Sequence, residues 1–423
     1  MQKKILVVSP RFWPEDVKIN DICEELSARG YKVDVLCGQP NFPYGEFFDG
    51  YHSFGHRFER YGNIKIYRTF EIKKGAGTSF GIMVNHILTQ IARSFKIISL
   101  SKNKYDAVLV YQTSPVMVCS AAARLAKKKK IPLAAYVIDM WPHAICEEMD
   151  IQSPTFKKIL KNISKRNYAL CDRLVTLNDA QSEYLSSKLD IPNFLITTVP
   201  QGPCKATACL SPDTSVHEKY AGSFNIVIPV RYGEKINMQQ LLDMGRSLRG
   251  RGIRNVRFVI EGPQVQSLKK KILKADLGDM FFTEYTASMN ESSPLYEAAD
   301  AFLICTSGNS TDIYHGPELL TDCMAAGKPI LFTGEGRYRN IIKSAGCGWC
   351  IDPNDASALA DKVTALMKMD DEHIRQMGEK GQGYQRQHFD MQACVDRLEQ
   401  VLFEPDDLMK ENKNTDIFTT SSF

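Results

Sequence analysis

The feature that most constrains this chain is a regular alternation of short apolar runs with helical patterns, in two series. Apolar runs bounded by turns predict buried strands, and strands that alternate with helices predict parallel sheets covered by helices. The first series of predicted strands is Lys4–Ser9, Lys32–Cys37, Ile64–Arg68, Ala107–Tyr111, Leu133–Asp139, Leu174–Leu177 and Leu195–Val199. The second series is Ile226–Pro229, Arg257–Glu261, Met280–Glu284, Ala301–Cys305, Pro329–Thr333 and Trp349–Asp352. Two series indicate an α/β protein with two sheets.

A segment rich in turn-forming residues separates the two series. Pro200, Gly202 and Pro203 are followed by Ser211-Pro212-Asp213, and apolar periodicity is weak in this stretch. A length of 423 residues also exceeds what one ordinary core holds. We therefore predict an N-terminal Rossmann-like domain over residues 1–203 and a second Rossmann-like domain over residues 204–385. A helix is predicted over residues 386–403, and the polar residues 404–423 are predicted to be disordered.

The charge balance excludes some classes of partner. The chain has 53 basic and 49 acidic residues, and a formal net charge of +4 is too small to indicate general nucleic-acid binding. The apolar run that begins at Ile5 is too short for a signal-peptide core, and no uninterrupted apolar segment reaches the ~18 residues needed to span a bilayer. We therefore expect a cytoplasmic protein, and contact with the inner face of the cell membrane stays open.

The twelve cysteines are scattered through predicted strands and helices, as buried thiols are in a reducing compartment. Cys347 and Cys350 alone have the spacing of a metal or redox pair. Because no second pair and no nearby histidine accompany them, packing is favoured over zinc binding or redox chemistry.

One predicted helix has an apolar face. The residues that recur on it at helical spacing are Phe80, Met83, Ile87, Ile91, Phe95 and Ile98. The favoured interpretation is a helix whose apolar face packs on the first sheet. The alternative is a contact between part of this face and a membrane surface, supported by Lys73, Lys74 and the run Lys127–Lys130.

The loop after the first predicted strand is one candidate for ligand binding, because ligands of parallel α/β sheets bind beyond the carboxyl ends of the strands. No glycine occurs between Ser9 and Asn20. A dinucleotide-binding loop needs glycines for its tight turn and for close approach to phosphate, so binding of NAD or FAD there is disfavoured. The functional interpretation places Glu15, Lys18 or Asn20 in an acceptor pocket, and the alternative is a loop closed by aromatic packing.

A carboxylate and an imidazole follow the fifth predicted strand. Asp139 stands at the carboxyl end of that strand, and an aromatic-proline turn separates it from His143. Such groups are well placed to orient a hydroxyl nucleophile. We therefore predict Asp139 and His143 as catalytic residues, with helix capping as the alternative for Asp139.

The strongest group of candidates lies in the second half of the chain. A Gly316-Pro317 start lets backbone amides at a helix N-terminus face a diphosphate, which the positive end of the helix dipole favours. Asp322 lies four residues after Glu318 on the same helix face, where a carboxylate can accept hydrogen bonds from a ribose. A solvated first-turn acid is the alternative for Glu318.

Two cations complete the predicted donor-binding set. Arg231 and Lys235 follow the first strand of the second series, where positive side chains suit an anionic leaving diphosphate. Solvated surface cations are the alternative for both. The predicted donor-binding residues are therefore Arg231, Lys235, Gly316, Pro317, Glu318 and Asp322.

Several short motifs over roughly positions 4 to 400 are shared with one enzyme family. They are Phe12-Trp13-Pro14-Glu15, residues 26–35 (LSARGYKVDV), Asn41-Phe42-Pro43-Tyr44-Gly45, Asp139-Met140-Trp141-Pro142, Glu297-Ala298-Ala299-Asp300 and, most specific, Ala325-Ala326-Gly327-Lys328-Pro329. Through them the chain resembles the retaining GT-B glycosyltransferases of glycosyltransferase family 4, particularly bacterial enzymes of surface-polysaccharide and amino-sugar transfer.

The resemblance implies a GT-B fold, in which two Rossmann-like domains face each other across a central cleft. It implies that the first domain binds the acceptor and the second binds the nucleotide-sugar. It also implies transfer without a metal or a cofactor, because helix-terminal amides and cations stabilise the departing nucleoside diphosphate. Same-face attack would retain the anomeric configuration, and the leaving phosphate would help to remove the acceptor proton. A final helix over Gly381 to Leu402 is expected to cross back to the first domain.

Some positions depart from the family's pattern. Asp322 matches the second acid of its paired-glutamate motif, but Tyr314 stands at the place of the first acid. His143 stands where many relatives have glutamate. The predicted function is transfer of a hexose, amino and deoxy sugars included, from a nucleoside-diphosphate sugar to a glycan or lipid-linked saccharide in surface-polysaccharide biosynthesis. The alternatives are a catalytically silent GT-B subunit that scaffolds or activates a partner transferase, and a nucleotide-sugar epimerase.

Overall fold

The structure, a computed structural model, describes residues 2–42, 45–72, 79–231, 236–263, 265–286, 288–306 and 314–404, with the backbone alone for 79–87. The chain forms two compact units. The first contains Met1–Pro200, Tyr314–Gly316 and the described residues from Met391 on, and the second contains Gln201–Ile313 and Pro317–Asp390. The chain thus first enters the second unit at Gln201, shortly before the predicted domain limit.

The first unit is built on a single sheet. Its strands are β1 (Lys4–Val8), β2 (Lys32–Cys37), β3 (Phe58–Tyr61), β4 (Ile64–Arg68), β5 (Ala107–Gln112), β6 (Leu133–Val137), β7 (Arg173–Thr176) and β8 (Ile196–Thr198). Its helices are α1 (Ile19–Ala28), α2 (Ser79–Leu100), α3 (Val118–Lys129), α4 (His143–Glu148), α5 (Pro154–Tyr168), α6 (Asp179–Leu189) and α16 (Met391–Phe403). The strand order among the described residues is β3-β4-β2-β1-β5-β6-β7-β8, and only β3 runs antiparallel to its neighbour.

Both faces of this sheet are buried. Successive side chains of a strand point to opposite faces, so Ile5 and Val7 of β1 enter one core while Leu6 and Val8 enter the other. Helices α1 and α16 cover the Ile5 face, and α3 and α5 cover the Leu6 face. Burial on both faces explains why the central strands β1, β5 and β6 are almost continuous apolar runs.

The C-terminal helices differ from the prediction of a single helix over Gly381 to Leu402. Helix α15 (Asp371–His388) belongs to the second unit, and the chain returns to the first unit only with α16. In α16, Val395 and Leu398 are fully buried in the core of the first unit. Disorder was predicted for residues 404–423; Glu404 is described and donates its backbone N–H to the carbonyl of Gln400, and residues 405–423 lie outside the described residues.

The favoured interpretation of the apolar face of α2 was wrong for the side chains that the structure describes. Ile91, Phe95 and Ile98 are 48%, 69% and 62% exposed. The helix instead buries Ile97 and Leu100 against the first sheet, together with Arg93, whose guanidinium lies 3.6 Å from the carboxylate of Glu71. Helical spacing identifies faces, but α2 has apolar residues on two faces and the sequence alone does not say which face packs. The side chains of Phe80, Met83 and Ile87, and Lys73 and Lys74, lie outside the described residues.

The second unit repeats the same architecture. Its strands are β9 (Phe224–Pro229), β10 (Val256–Glu261), β11 (Phe281–Glu284), β12 (Ala301–Cys305), β13 (Ile330–Thr333) and β14 (Gly348–Ile351). Its helices are α7 (Lys205–Ala208), α8 (Thr214–Tyr220), α9 (Met238–Gly250), α10 (Gln266–Lys274), α11 (Met289–Ala298), α12 (Glu318–Ala325), α13 (Arg337–Ala345), α14 (Ala356–Met367) and α15. The described strands pair in parallel in the order β11-β10-β9-β12-β13-β14.

The prediction of two Rossmann-like parallel sheets is confirmed, and every predicted strand is present with its ends shifted by at most two residues. Strand β3 was not predicted. Its sequence, Phe-Glu-Arg-Tyr, has two charged residues between two aromatic ones, and its residues are exposed or half-buried at the edge of the sheet, so it lacks the apolar run of a buried strand. Among the helices that the structure describes, none is long and apolar enough to cross a membrane.

Candidate functional site

Two predicted donor-binding residues meet in the second unit. Arg231 follows β9 by two residues, and its Nη2 lies 2.9 Å from Oδ2 of Asp322 on α12. The side chain of Asp322 is 1% exposed, whereas that of Arg231 is 31% exposed. The ion pair therefore joins a buried carboxylate to a cation that reaches solvent at the carboxyl end of the sheet.

The carboxylate of Asp322 also holds the start of the second unit. Its Oδ1 accepts hydrogen bonds from the backbone N–H of Cys204 at 2.6 Å and from the hydroxyl of Thr207 at 3.0 Å. Thr207 is fully buried in α7. The sequence reasoning missed Cys204 and Thr207, because they lie more than one hundred residues before Asp322 and no spacing connects them.

A second buried carboxylate lies near Arg231. Glu261, at the end of β10, is 1% exposed and accepts hydrogen bonds from Ser292 and Tyr296, each at 3.0 Å. Burial by itself lowers the pKa of the Arg231 guanidinium, but Tyr296, Asp322 and Glu261 raise that pKa well above its usual value. Arg231 is therefore a permanent cation among buried anions, and Glu261 is a site residue that the sequence reasoning did not select.

The first turn of α12 has the form expected of an anion-binding helix terminus. Pro317 is the N-cap residue and supplies no side-chain hydrogen bond to the turn, and Glu318 is the first helical residue and is half-buried. The first amides of a helix have no acceptors within the helix and lie at the positive end of its dipole. Gly316 belongs to the first unit, whereas Pro317 and Glu318 belong to the second. Lys235 lies outside the described residues.

In the first unit, the predicted catalytic Asp139 joins two loops at the carboxyl edge of the sheet. Its Oδ2 accepts a hydrogen bond from the backbone N–H of Ser114 at 2.7 Å, and the indole of Trp141 donates to the hydroxyl of Ser114 at 2.9 Å. Asp139 follows β6 and Ser114 follows β5. The carboxylate is half-buried and is fixed by this neighbouring loop.

His143 lies between two aromatic rings at the start of α4. Its ring stacks on Tyr314 with centroids 4.7 Å apart and an interplanar angle of 27°, and it meets Tyr184 edge-on at 4.7 Å. Burial, with a smaller contribution from the charge of Lys157, lowers the pKa of His143 below its usual value of 6.5. Its Nε2 is buried and has no hydrogen-bond partner among the described residues. The imidazole is therefore neutral near pH 7, and its Nε2 makes no hydrogen bond to the described residues.

Tyr314 is placed there by backbone contacts within the first unit. The side-chain amide of Gln181 donates to the carbonyl of Tyr314 at 2.8 Å, and that of Asn178 donates to the carbonyl of His315 at 2.9 Å. Both amide side chains are buried. The residue that stands at the place of the family's first acid is therefore part of an aromatic cluster with His143. No local sequence signal indicated this contact.

The three predicted acceptor-binding residues lie in the loop after β1. Glu15 is 2% exposed, and its carboxylate accepts from the backbone amides of Phe12, Asn41 and Phe42 at 3.2, 3.0 and 2.8 Å. Asn20 accepts from the N–H of Trp13 at 3.1 Å and donates to the carbonyl of Glu15 at 2.7 Å. These contacts support the alternative of a packed loop for Glu15 and Asn20.

Lys18 is the N-cap residue of α1 and is half-buried. Binding of an acceptor by Glu15, Lys18 or Asn20 stays a prediction.

Cys347 and Cys350 are free thiols, and burial raises the pKa of Cys347 to about 12. Within the described parts of the chain, no group of three or more His, Cys, Asp or Glu residues is placed to hold a metal ion.

Residues 213–384, which include Arg231, Glu318 and Asp322, match the family model described as glycosyl transferases group 1. A putative colanic acid biosynthesis glycosyltransferase, WcaL of Salmonella typhimurium, is 24% identical over 174 residues, which are 41% of this chain and 43% of the relative. The matched segment thus spans less than half of that relative.

Solved structures resemble the chain over almost its whole length. Sucrose-phosphate synthase from Thermosynechococcus elongatus has a TM-score of 0.69 at 14% identity, covering 98% of this chain and 100% of that one. Anabaena HepE in complex with UDP and glucose has a TM-score of 0.65 at 14% identity, covering 96% and 100%. The chain has the GT-B fold. At this level of identity the likeness establishes the fold, and the activity has to be argued from the residues.

Proposed function

We propose that this GT-B protein is a glycosyltransferase of surface-polysaccharide biosynthesis. It would move a hexose, amino and deoxy sugars included, from a nucleoside-diphosphate sugar to a glycan or lipid-linked saccharide. The match to glycosyl transferases group 1, the likeness to WcaL and the fold support this proposal. The observation that carries it is the 2.9 Å contact between Arg231 and Asp322, which brings two predicted donor-binding residues together in the matched segment.

In the proposed complex the second unit holds the donor. Arg231 and the first-turn amides of α12 stabilise the negative charge of the diphosphate, and no metal is required for this step. Asp322 holds the guanidinium of Arg231 through its Oδ2, which supports a role in orienting the cation. Its carboxylate is 1% exposed and accepts hydrogen bonds at both oxygens, so contact with the ribose stays a prediction. The complex of HepE with UDP and glucose is a precedent for binding of a nucleoside diphosphate and a sugar on this fold.

In the proposed reaction the bond between the anomeric carbon and the diphosphate oxygen breaks. The acceptor oxygen bonds to the anomeric carbon on the same face, and the acceptor proton passes to a phosphate oxygen of the leaving nucleoside diphosphate. The products are a glycoside of retained configuration and the nucleoside diphosphate. Asp139 or His143 orients the acceptor hydroxyl. Because Nε2 of His143 is buried in the aromatic cluster, the imidazole has to turn out of its stack on Tyr314 to reach the acceptor.

Titration calorimetry with UDP-sugars tests the donor site. We expect Arg231→Ala to weaken donor binding at least tenfold, as for a lost charge-assisted hydrogen bond of roughly 1.5 kcal/mol or more. Arg251→Ala is the matched control, because Arg251 is 34% exposed and pairs with Asp361 on the surface of the same unit. Equal donor affinity of wild type and Arg231→Ala would contradict the assignment, and release of UDP in the presence of acceptors reports turnover.

A catalytically silent subunit is the second candidate. It is favoured by Tyr314, which stands at the place of the family's first acid and stacks on His143. This candidate predicts donor binding that Arg231→Ala abolishes, no UDP release with any acceptor tested, and a transferase that co-purifies with the chain. UDP release by the purified chain alone would reject it.

A further inference from the structure

An apolar stripe runs along the exposed side of α2. Leu88, Ile91, Phe95 and Ile98 are 40%, 48%, 69% and 62% exposed, and we call them the α2 patch. Their spacing of three, four and three residues places them on one helix face over about 15 Å. Single exposed apolar residues are ordinary on a protein surface. Four on one helix face form a larger apolar surface, and its removal from water is energetically favourable.

The patch extends towards the edge of the first sheet. Phe58 on β3 is 49% exposed and packs on Tyr67 with ring centroids 5.3 Å apart. The ammonium of Lys96, next to Phe95 on α2, lies 5.7 Å from the centroid of the same Tyr67 ring. Exposed aromatic rings and a lysine thus share one side of the first unit.

Basic residues outnumber acidic residues around the C-terminal ends of α2 and α3. Helix α2 contains no Asp or Glu, and the next acidic residue, Asp106, accepts a hydrogen bond from the N–H of Lys4. Helices α2 and α3 each connect parallel strands of the sheet, so they run in the same direction and their C-terminal ends lie at the same edge. That edge carries the exposed lysines Lys102 and Lys104 after α2, and Lys127, Lys128 and Lys130 at the end of α3.

We propose that the α2 patch is a docking surface for an anionic lipid bilayer. Helix α2 would lie in the plane of the membrane interface, with Phe95 and Ile98 inserted at the acyl boundary and the lysines on the headgroups. A second copy of the chain fits less well, because two such faces would bring predominantly positive charges together. The inference does not depend on the proposed transferase activity.

Vesicle flotation tests this surface with the full chain. Wild-type protein is expected to float with vesicles of phosphatidylcholine and phosphatidylglycerol and to remain unbound with phosphatidylcholine alone, because the lysines act on anionic headgroups. The double variant Phe95→Ser/Ile98→Ser is expected to lose at least about tenfold in partitioning, since two large apolar side chains no longer enter the interface. Reversal of charge in Lys127→Glu/Lys128→Glu is expected to weaken binding at low salt and to have less effect at high salt.

Two matched controls accompany these variants. Phe194→Ser removes an aromatic side chain that is 58% exposed elsewhere on the first unit, and Lys270→Glu/Lys271→Glu reverses exposed lysines on α10 of the second unit. Both controls should bind vesicles as wild type does, and unchanged thermal melting of all variants checks that they fold. Three results would overturn the proposal: wild type that stays unbound, a double variant that floats like wild type, or a wild-type dimer that Phe95→Ser/Ile98→Ser dissociates without any effect on flotation.

Discussion

Replacing Asp322 by alanine tests the buried ion pair at the candidate donor site. The substitution leaves the Arg231 guanidinium without this carboxylate and removes the acceptor of Cys204 N–H and of the Thr207 hydroxyl. Removing one partner of a buried ion pair costs roughly 3 to 5 kcal/mol. Because the side chain of Arg231 is 31% exposed and water stabilises part of its charge, we expect the lower end, about 3 kcal/mol.

Calorimetric melting of the full chain measures this loss. At roughly 2 to 4 °C per kcal/mol for a unit of this size, Asp322→Ala should lower the Tm of the affected transition by about 6 to 12 °C. Asp322→Asn retains a side-chain oxygen for Cys204 and Thr207 and should lose only about 1 to 2 kcal/mol. The control is Asp361→Ala, because Asp361 is 65% exposed in its pair with Arg251 and should contribute less than about 1 kcal/mol. If Asp322→Ala costs no more than Asp361→Ala, the carboxylate does not hold this site together.

Two further predictions test the packing, one in each unit. Burial lowers the pKa of His143, so the stability contributed by its neutral ring is present above its usual pKa of 6.5 and is lost as the pH falls below it. His143→Phe should therefore lose less stability than wild type between about pH 7.5 and pH 5.5 in urea unfolding, and equal losses would contradict burial of the imidazole. A Cβ at position 378 would lie 1.9 Å from the carbonyl oxygen of Gly327, so Gly378→Ala should destabilise the second unit by at least about 2 kcal/mol. Gly383→Ala in the same helix meets open space and should stabilise it by up to about 1 kcal/mol, and denaturant midpoints that fall equally for both would refute this packing.

The two sheets could be predicted because their strands are buried on both faces. A run such as Leu133–Val137 is apolar at every position, and this pattern is independent of the neighbours that bury it. The edge strand Phe58–Tyr61 lacks that pattern, since its residues are exposed or half-buried. The face of α2 was predicted wrongly, because Ile97 and Leu100 on one side and Phe95 and Ile98 on the other are equally apolar. Which side packs is decided by tertiary contacts.

The sequence identified several residues of the candidate site, but it did not predict which of them contact each other. Arg231 was selected because it follows a strand at the carboxyl edge of a parallel sheet, and Asp322 because it lies four residues after Glu318 on one helix face. Both rules are local in sequence. The pairing of Arg231 with Asp322 joins residues 91 positions apart. The cluster of His143 with Tyr314 joins residues from distant parts of the chain. Contacts of this kind depend on side-chain packing that no spacing in the sequence encodes.

Because α16 packs in the first unit, the core of that unit is completed only after the end of the chain has been translated. Residues 1–200 leave the ribosome long before α16, whose Val395 and Leu398 belong to the same core as Ile5 and Val7. At roughly 5 to 20 residues per second, translation of the intervening ~190 residues takes about 10 to 40 s. During that interval the apolar side chains that α16 covers in the complete chain lack this cover, so we expect chaperone binding at this stage to protect the chain from aggregation.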